Sequence, residues 1–223
     1  MGEHIRLTSS DGFEFGAYEA KPTGPAKGHV VVIQEIFGVN IHIREVCDGY
    51  AAAGFRAVAP ALFDRIEPGI ELGYEGDDMT RGVDLAFTKL EMPNTLADVQ
   101  AAINYLAADG KVGVVGYCFG GLLTWLSACN AENLSCASGY YGGGIINFND
   151  QKPAVPTILH FGELDAHIPM SDVSVIRESH ADVSVYAYDA DHGFNCNHRA
   201  SFNEAAATLA GQRTLDFFAE NLG

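Results

Sequence analysis

The stretch Lys111-Val-Gly-Val-Val-Gly-Tyr-Cys118-Phe-Gly-Gly-Leu-Leu123 decides the fold. Lys111 to Gly116 is a short apolar run, the pattern of a strand buried on both faces. After one turn, Leu122 to Cys129 is apolar enough for a buried helix. The turn between them reads Gly116-x-Cys118-x-Gly120-Gly121, the layout of a nucleophile elbow with cysteine where serine is commoner. So sharp a turn demands tiny neighbours, which accounts for glycine two positions before and two positions after Cys118. A glycine-rich phosphate loop or a plain tight turn shares those glycines. The strand–turn–helix context favours the elbow, and partners elsewhere in the chain must complete it.

Outward from this point, apolar strands alternate with helical segments. Phe13 to Ala20, His29 to Gln34, Phe55 to Ala59, Leu134 to Tyr141, Thr157 to Phe161 and Val183 to Tyr188 read as strands. Asn40 to Ala53, Pro93 to Ala108, Ser171 to Ser179 and Ser201 to Asn221 read as helices. Asp64 to Asp84, rich in Gly, Pro, Asp and Glu, is the least regular part. Alternation of this kind implies parallel pairing and right-handed crossovers. The predicted architecture is α/β, a doubly wound and mostly parallel sheet between helical layers, with residues 1–223 as one domain. In such sheets the chemistry sits beyond the carboxyl ends of the strands.

The 223 residues are 48% hydrophobic, an ordinary globular share. Acidic residues outnumber basic ones 29 to 13, a formal net charge of −16. That balance repels phosphate backbones and anionic headgroups, so neither nucleic acid nor a membrane surface is an expected partner. No stretch approaches the ~20 apolar residues of a membrane span, and Met1 to Ser10 lacks a signal-peptide pattern. Five cysteines without a C-x-x-C pair suggest free thiols and a cytoplasmic location. Three donors, His192, Cys196 and His198, lie within seven residues but have no second cluster to complete a zinc site. Asp77, Asp78 and Asp84 lack calcium-loop spacing and read as a solvated face. No metal and no cofactor is expected.

A free thiol with a pKa near 8.5 is only about 3% thiolate at pH 7, so Cys118 needs a base. After an elbow the order along the chain is nucleophile, acid, histidine. Gly162-Glu-Leu-Asp165 follows one strand end, and Asp191-His192-Gly193 follows another. His192 is then the base and Asp165 orients it. Asp165 could equally be a turn residue, and His167 is the rival base because it too follows a strand end. His160 lies within an apolar strand and reads as buried structure.

With these residues in place, the chain resembles the dienelactone hydrolase family, the carboxymethylenebutenolidases, cysteine-dependent members of the α/β-hydrolase fold. The resemblance rests on Gln34-Glu-Ile-Phe-Gly-Val-Asn40, Gly116-Tyr-Cys-Phe-Gly-Gly121, Gly139-Tyr-Tyr-Gly142, Gly162-Glu-Leu-Asp165 and His192-Gly-Phe194, and it runs over nearly the whole chain. It implies a cysteine-nucleophile hydrolase of small lactones or carboxylic esters, acting through an acyl-thiol intermediate without a cofactor. Cys118, Asp165 and His192 fall on the family triad. Glu35 falls on a carboxylate that contacts the thiol and helps to activate it when substrate binds. The Ile36 and Phe119 N–H groups fall on the oxyanion hole, and Tyr141 falls on a pocket tyrosine.

The chain departs from the family at substrate recognition. Family members hold the carboxylate of an anionic lactone with two arginines. Arg81 lies where the first is expected. Cys196 stands where the second is expected, and Arg199 follows three residues later. The expected partner is a small-molecule lactone or ester, and a monomer is the expected state. The competing readings are a ligand-binding protein on a hydrolase scaffold and a redox-reactive thiol protein.

Overall fold

The computed structural model describes residues 2–223. Eight strands form one sheet: β1 (Glu3–Thr8), β2 (Glu14–Ala20), β3 (His29–Ile33), β4 (Arg56–Pro60), β5 (Val112–Tyr117), β6 (Cys136–Tyr140), β7 (Thr157–Gly162) and β8 (Val183–Tyr188). Their spatial order is β1-β2-β4-β3-β5-β6-β7-β8. The first two strands run antiparallel, and every pairing from β4 to β8 is parallel. This is the mostly parallel sheet that the alternation of elements predicts.

The helices are α1 (Ile41–Ala52), α2 (Gly76–Asp84), α3 (Met92–Ala107), α4 (Phe119–Asn130), α5 (Met170–Ser179) and α6 (Glu204–Leu222). Asn40 caps α1 by accepting from the Ile43 N–H, and Asn203 caps α6 by accepting from the Ala206 N–H. The Val30-Val31-Val32-Ile33 run shows why the central strands are apolar throughout. Val30 and Val32 pack with Ile43 and Tyr50 of α1 and Phe218 of α6. Val31 and Ile33 point the other way, into Val99, Ile103 and Leu106 of α3 and Leu123 of α4. Helices therefore cover both faces, and the strand ends are left to carry the loops.

Two elements escaped the sequence pattern. β1 is an edge strand with only Leu7 buried, so its polar residues give little alternation to read. The segment expected to be irregular contains α2, followed by the π-helical turn Leu85–Lys89. Asp77 and Asp78 sit in the first turn of α2, where negative charge complements the helix dipole. Asp78 also accepts from the Gly73 N–H at 2.7 Å. Acidic composition that reads as loop is here the favourable chemistry of a helix start.

Two glycines make the packing testable. A Cβ on Gly116, at the end of β5, would lie 2.0 Å from the Gly120 carbonyl oxygen. Gly211, inside α6, has open space around the same position. Gly116→Ala should destabilise the fold by about 3 kcal/mol, the upper range for overpacking. Gly211→Ala should stabilise it by about 0.5–1 kcal/mol by relieving the cost of glycine in a helix. Urea unfolding of both variants checks the opposite signs.

Candidate active site

The turn between β5 and α4 places Cys118 at φ 55°, ψ −114°, a conformation L-residues rarely adopt. Three missing side chains permit it. A Cβ on Gly120 would lie 2.4 Å from the Ile33 carbonyl oxygen, and one on Gly121 would lie 2.5 Å from that of Tyr140. With Gly116 they let the first turn of α4 press against the ends of β3, β5 and β6. The Cys118 N–H donates to the Tyr140 carbonyl at 3.0 Å and fixes the turn from the other side. Cys118 is partly exposed and lines a cavity of about 460 Å³.

His192 lines the same cavity, on the loop after β8. Its Nδ1 is 2.7 Å from Asp165 Oδ2, across from the loop after β7. The Asp165 side chain is fully buried, and its other oxygen accepts from the His167 N–H at 2.8 Å. Burial pushes the Asp165 carboxyl up, but bonding to His192 and His167 prevails and holds it below its usual value. Burial likewise pulls the His192 imidazole down, yet the hydrogen bond to Asp165, with the Cys118 thiol close by, outweighs it and raises its pKa to about 10. The rival base, His167, also lines the cavity; its N–H donates to Asp165, and its ring meets the His192 ring edge-on at 5.5 Å.

Glu35 is buried at the end of β3, and its Oε1 lies 3.2 Å from Arg199 Nη1. Among the described residues no hydrogen bond joins it to Cys118. Arg199 reaches this position because Gly193, at φ 77°, has no Cβ; one would lie 2.5 Å from Arg199 Nη1. The guanidinium also lies over the Phe37 ring, 5.7 Å from its centre, and lines the cavity. Ile36 and Phe119 line the cavity as well, and among the described residues neither N–H has a hydrogen-bond acceptor. Two unpaired donors thus stand near the thiol.

Two expected positions fall elsewhere. Arg81 is on α2, pairs with Glu67 at 2.7 Å and is not part of the cavity lining. Its neighbours at one helical offset, Met79 and Val83, face the cavity, so Arg81 leaves the helix on another side. Tyr141 is fully buried rather than exposed to the cavity; its ring packs against His192 at 5.1 Å and Phe194 at 5.2 Å. The sequence pattern does not reveal the wall of Met79, Val83 and Phe87, since Asp64 to Asp84 reads as irregular and Phe87 falls just beyond it in a stretch assigned to no element. Their spacing of four was the available signal.

The other four thiols are all pushed upward by burial, Cys129 and Cys196 to about 11 and Cys136 to about 12, with Cys47 higher still. His192, Cys196 and His198 do not converge. Glu35, His42 and Cys196 instead bring their donor atoms within 4.8 Å of one another, and His42, Glu45 and His198 do the same nearer the surface. The Arg199 guanidinium beside Glu35 opposes a cation in the first group. Asp77, Asp78 and Asp84 belong to neither group. Among the described residues no helix is long and apolar enough to cross a membrane.

Comparison with known proteins places this arrangement. The carboxymethylenebutenolidase 1 of Cupriavidus pinatubonensis is 34% identical over 229 residues, covering 98% of this chain and 97% of that protein. The carboxymethylenebutenolidase of Pseudomonas putida matches equally, at 34% over the same span. A dienelactone hydrolase candidate from Klebsiella pneumoniae superimposes with a TM-score of 0.86 at 29% identity, covering 99% of both chains. The Pyrococcus furiosus esterase Pf2001, at 12% identity and a TM-score of 0.74, shares the fold. The family model for dienelactone hydrolases matches residues 15–222. An α/β-hydrolase sheet with these strand-end residues, matched along nearly all its length, means that the chain belongs to the dienelactone hydrolase family.

Proposed function

We propose that this protein hydrolyses small lactones or carboxylic esters with Cys118 as nucleophile, through an acyl-thiol intermediate. One observation carries the reading: Cys118, strained at φ 55° before α4, shares a cavity with His192, whose Nδ1 is bonded to Asp165 at 2.7 Å. Asp165 fixes the imidazole so that Nε2 is the nitrogen left to exchange a proton with the thiol.

The sulfur attacks the carbonyl carbon and the carbonyl oxygen becomes an oxyanion, which the Ile36 and Phe119 N–H groups receive. The intermediate collapses and the carbon–oxygen bond to the alcohol part breaks. The leaving oxygen takes its proton from the His192 imidazolium. Water then gives a proton to His192 and attacks the thioester, releasing the acid and restoring the thiol. Glu35 takes part in activating Cys118 when substrate binds; without substrate its charge is paired with Arg199. Tyr141 acts from behind, as the surface against which the imidazole rests.

Cys118→Ala should lose at least about 10³-fold in kcat/KM on p-nitrophenyl acetate while keeping its unfolding midpoint, since triad members act as a unit. A thioester trapped on Cys118 and seen by mass spectrometry separates this mechanism from a binding or redox role. His192→Ala should lose comparable activity, and His167→Ala less than about tenfold; the reverse ranking would move the base to His167.

The raised pKa of His192 also has a signed consequence. An unfolded imidazole titrates near 6.5 and the folded one near 10. Its contribution to stability is therefore complete below about pH 6.5 and is lost as pH rises through about 10. The stability gap between the wild type and His192→Gln should narrow across that window, as read by urea unfolding at a series of pH values. Asp165→Asn should lower the imidazole pKa, followed by NMR titration.

A further inference from the structure

Met79, Val83 and Phe87 recur at intervals of four along α2 and the π-helical turn after it, and all three line the cavity. Val83 is 45% exposed and Phe87 60% exposed, so large apolar groups are held at the open side of the site. They continue an apolar surface: Phe87 meets the Phe119 ring edge-on at 5.5 Å, and Leu122 and Phe148 lie beyond. The segment is not loosely laid there. Gly82 faces Ile36 so closely that a Cβ would lie 2.3 Å from the Ile36 carbonyl oxygen. The wall is thus docked on Ile36, the residue to which the proposed mechanism gives the oxyanion.

The charges point the same way. Among the described residues lining the cavity, the Arg199 guanidinium is already paired with Glu35 and the His192 imidazolium with Asp165. Arg81 is turned to Glu67 instead. A carboxylate entering this space would give up its water without gaining a free cation, and an uncompensated charge in apolar surroundings is costly. An alkyl or aryl group would gain by covering Val83 and Phe87. A volume of about 460 Å³ lies in the range that accepts an organic ligand of moderate size.

We infer that the Met79–Val83–Phe87 wall makes the site selective for uncharged esters or lactones bearing an apolar group, and against small anionic ones. The inference rests on the hydrolase reading above and names the substrate class of that site. Val83 and Phe87 are its specificity-determining residues.

The test compares p-nitrophenyl pentanoate with p-nitrophenyl hemisuccinate, whose acyl chains have nearly equal length and differ in a terminal carboxylate; p-nitrophenyl acetate is the short reference. The wild type should prefer the pentanoate over the hemisuccinate by at least about tenfold in kcat/KM, the scale of a few methylene contacts. Phe87→Ala with Val83→Ala should lower the pentanoate-to-acetate ratio by roughly tenfold. Val83→Lys should shift the preference toward the hemisuccinate. A wild type that favours the hemisuccinate or treats the two alike overturns the inference, as does a ratio that ignores both alanines.

Binding of the matching p-nitroanilides to the Cys118→Ala protein reads the same preference without turnover. If Cys118→Ala still hydrolyses all three esters, the nucleophile is misassigned, and the anilide affinities still judge the wall. Equal anilide affinities would overturn the selectivity even with Cys118 upheld.

Discussion

The close approach of the first turn of α4 to the ends of β3, β5 and β6 is the constraint on which the rest depends. Gly116, Gly120 and Gly121 each stand where a Cβ would lie within 2.5 Å of a backbone oxygen. Their absence of side chains lets helix and sheet meet backbone to backbone, and the one residue between them that keeps a reactive side chain is Cys118. Its positive φ is held from both sides: by the α4 turn in front and by the bond from its N–H to Tyr140. The price is a strained residue, of the kind that persists only when its surroundings over-determine it.

Around that point the charges are arranged as two pairs. Asp165 with His192 stands on one side, and Glu35 with Arg199 on the other. Each carboxylate is buried, and each has a basic partner within hydrogen-bonding reach. In a chain with a formal charge of −16, the buried carboxylates of the site are matched, as are Asp98 with Arg65 and Glu19 with Arg56 and Lys21 elsewhere in the fold. The acidic surplus lies outside these pairs, on exposed faces such as the first turn of α2.

Much of this was legible from the residues. Valine runs buried on both faces betray the parallel strands, and the glycine spacing around Cys118 follows from contacts that no side chain could survive. The Asp165 and His192 loops were readable because each follows a strand end in the order the elbow requires. The remainder depended on directions that linear spacing does not carry. Arg81 and Met79 are two residues apart, yet only Met79 meets the cavity. Arg199 enters through the gap left by Gly193, a contact visible only once the chain is folded. Tyr141 sits at a strand end as expected, but its left-handed backbone, φ 34°, accompanies a ring buried beneath His192. α2 hid behind a composition that serves loops and acidic helix starts alike.

The contact between Gly82 and the Ile36 carbonyl joins two properties that many enzymes keep apart. One side of that contact belongs to the apolar wall of the cavity; the other belongs to Ile36, which lines the same cavity as Cys118 and to which the proposed mechanism gives the oxyanion. Backbone against backbone leaves no compliant side chain to absorb a shift between them. Drift in α2 would therefore also move Ile36, so under the proposed mechanism breadth and speed would evolve as a trade-off in this lineage rather than as independent traits.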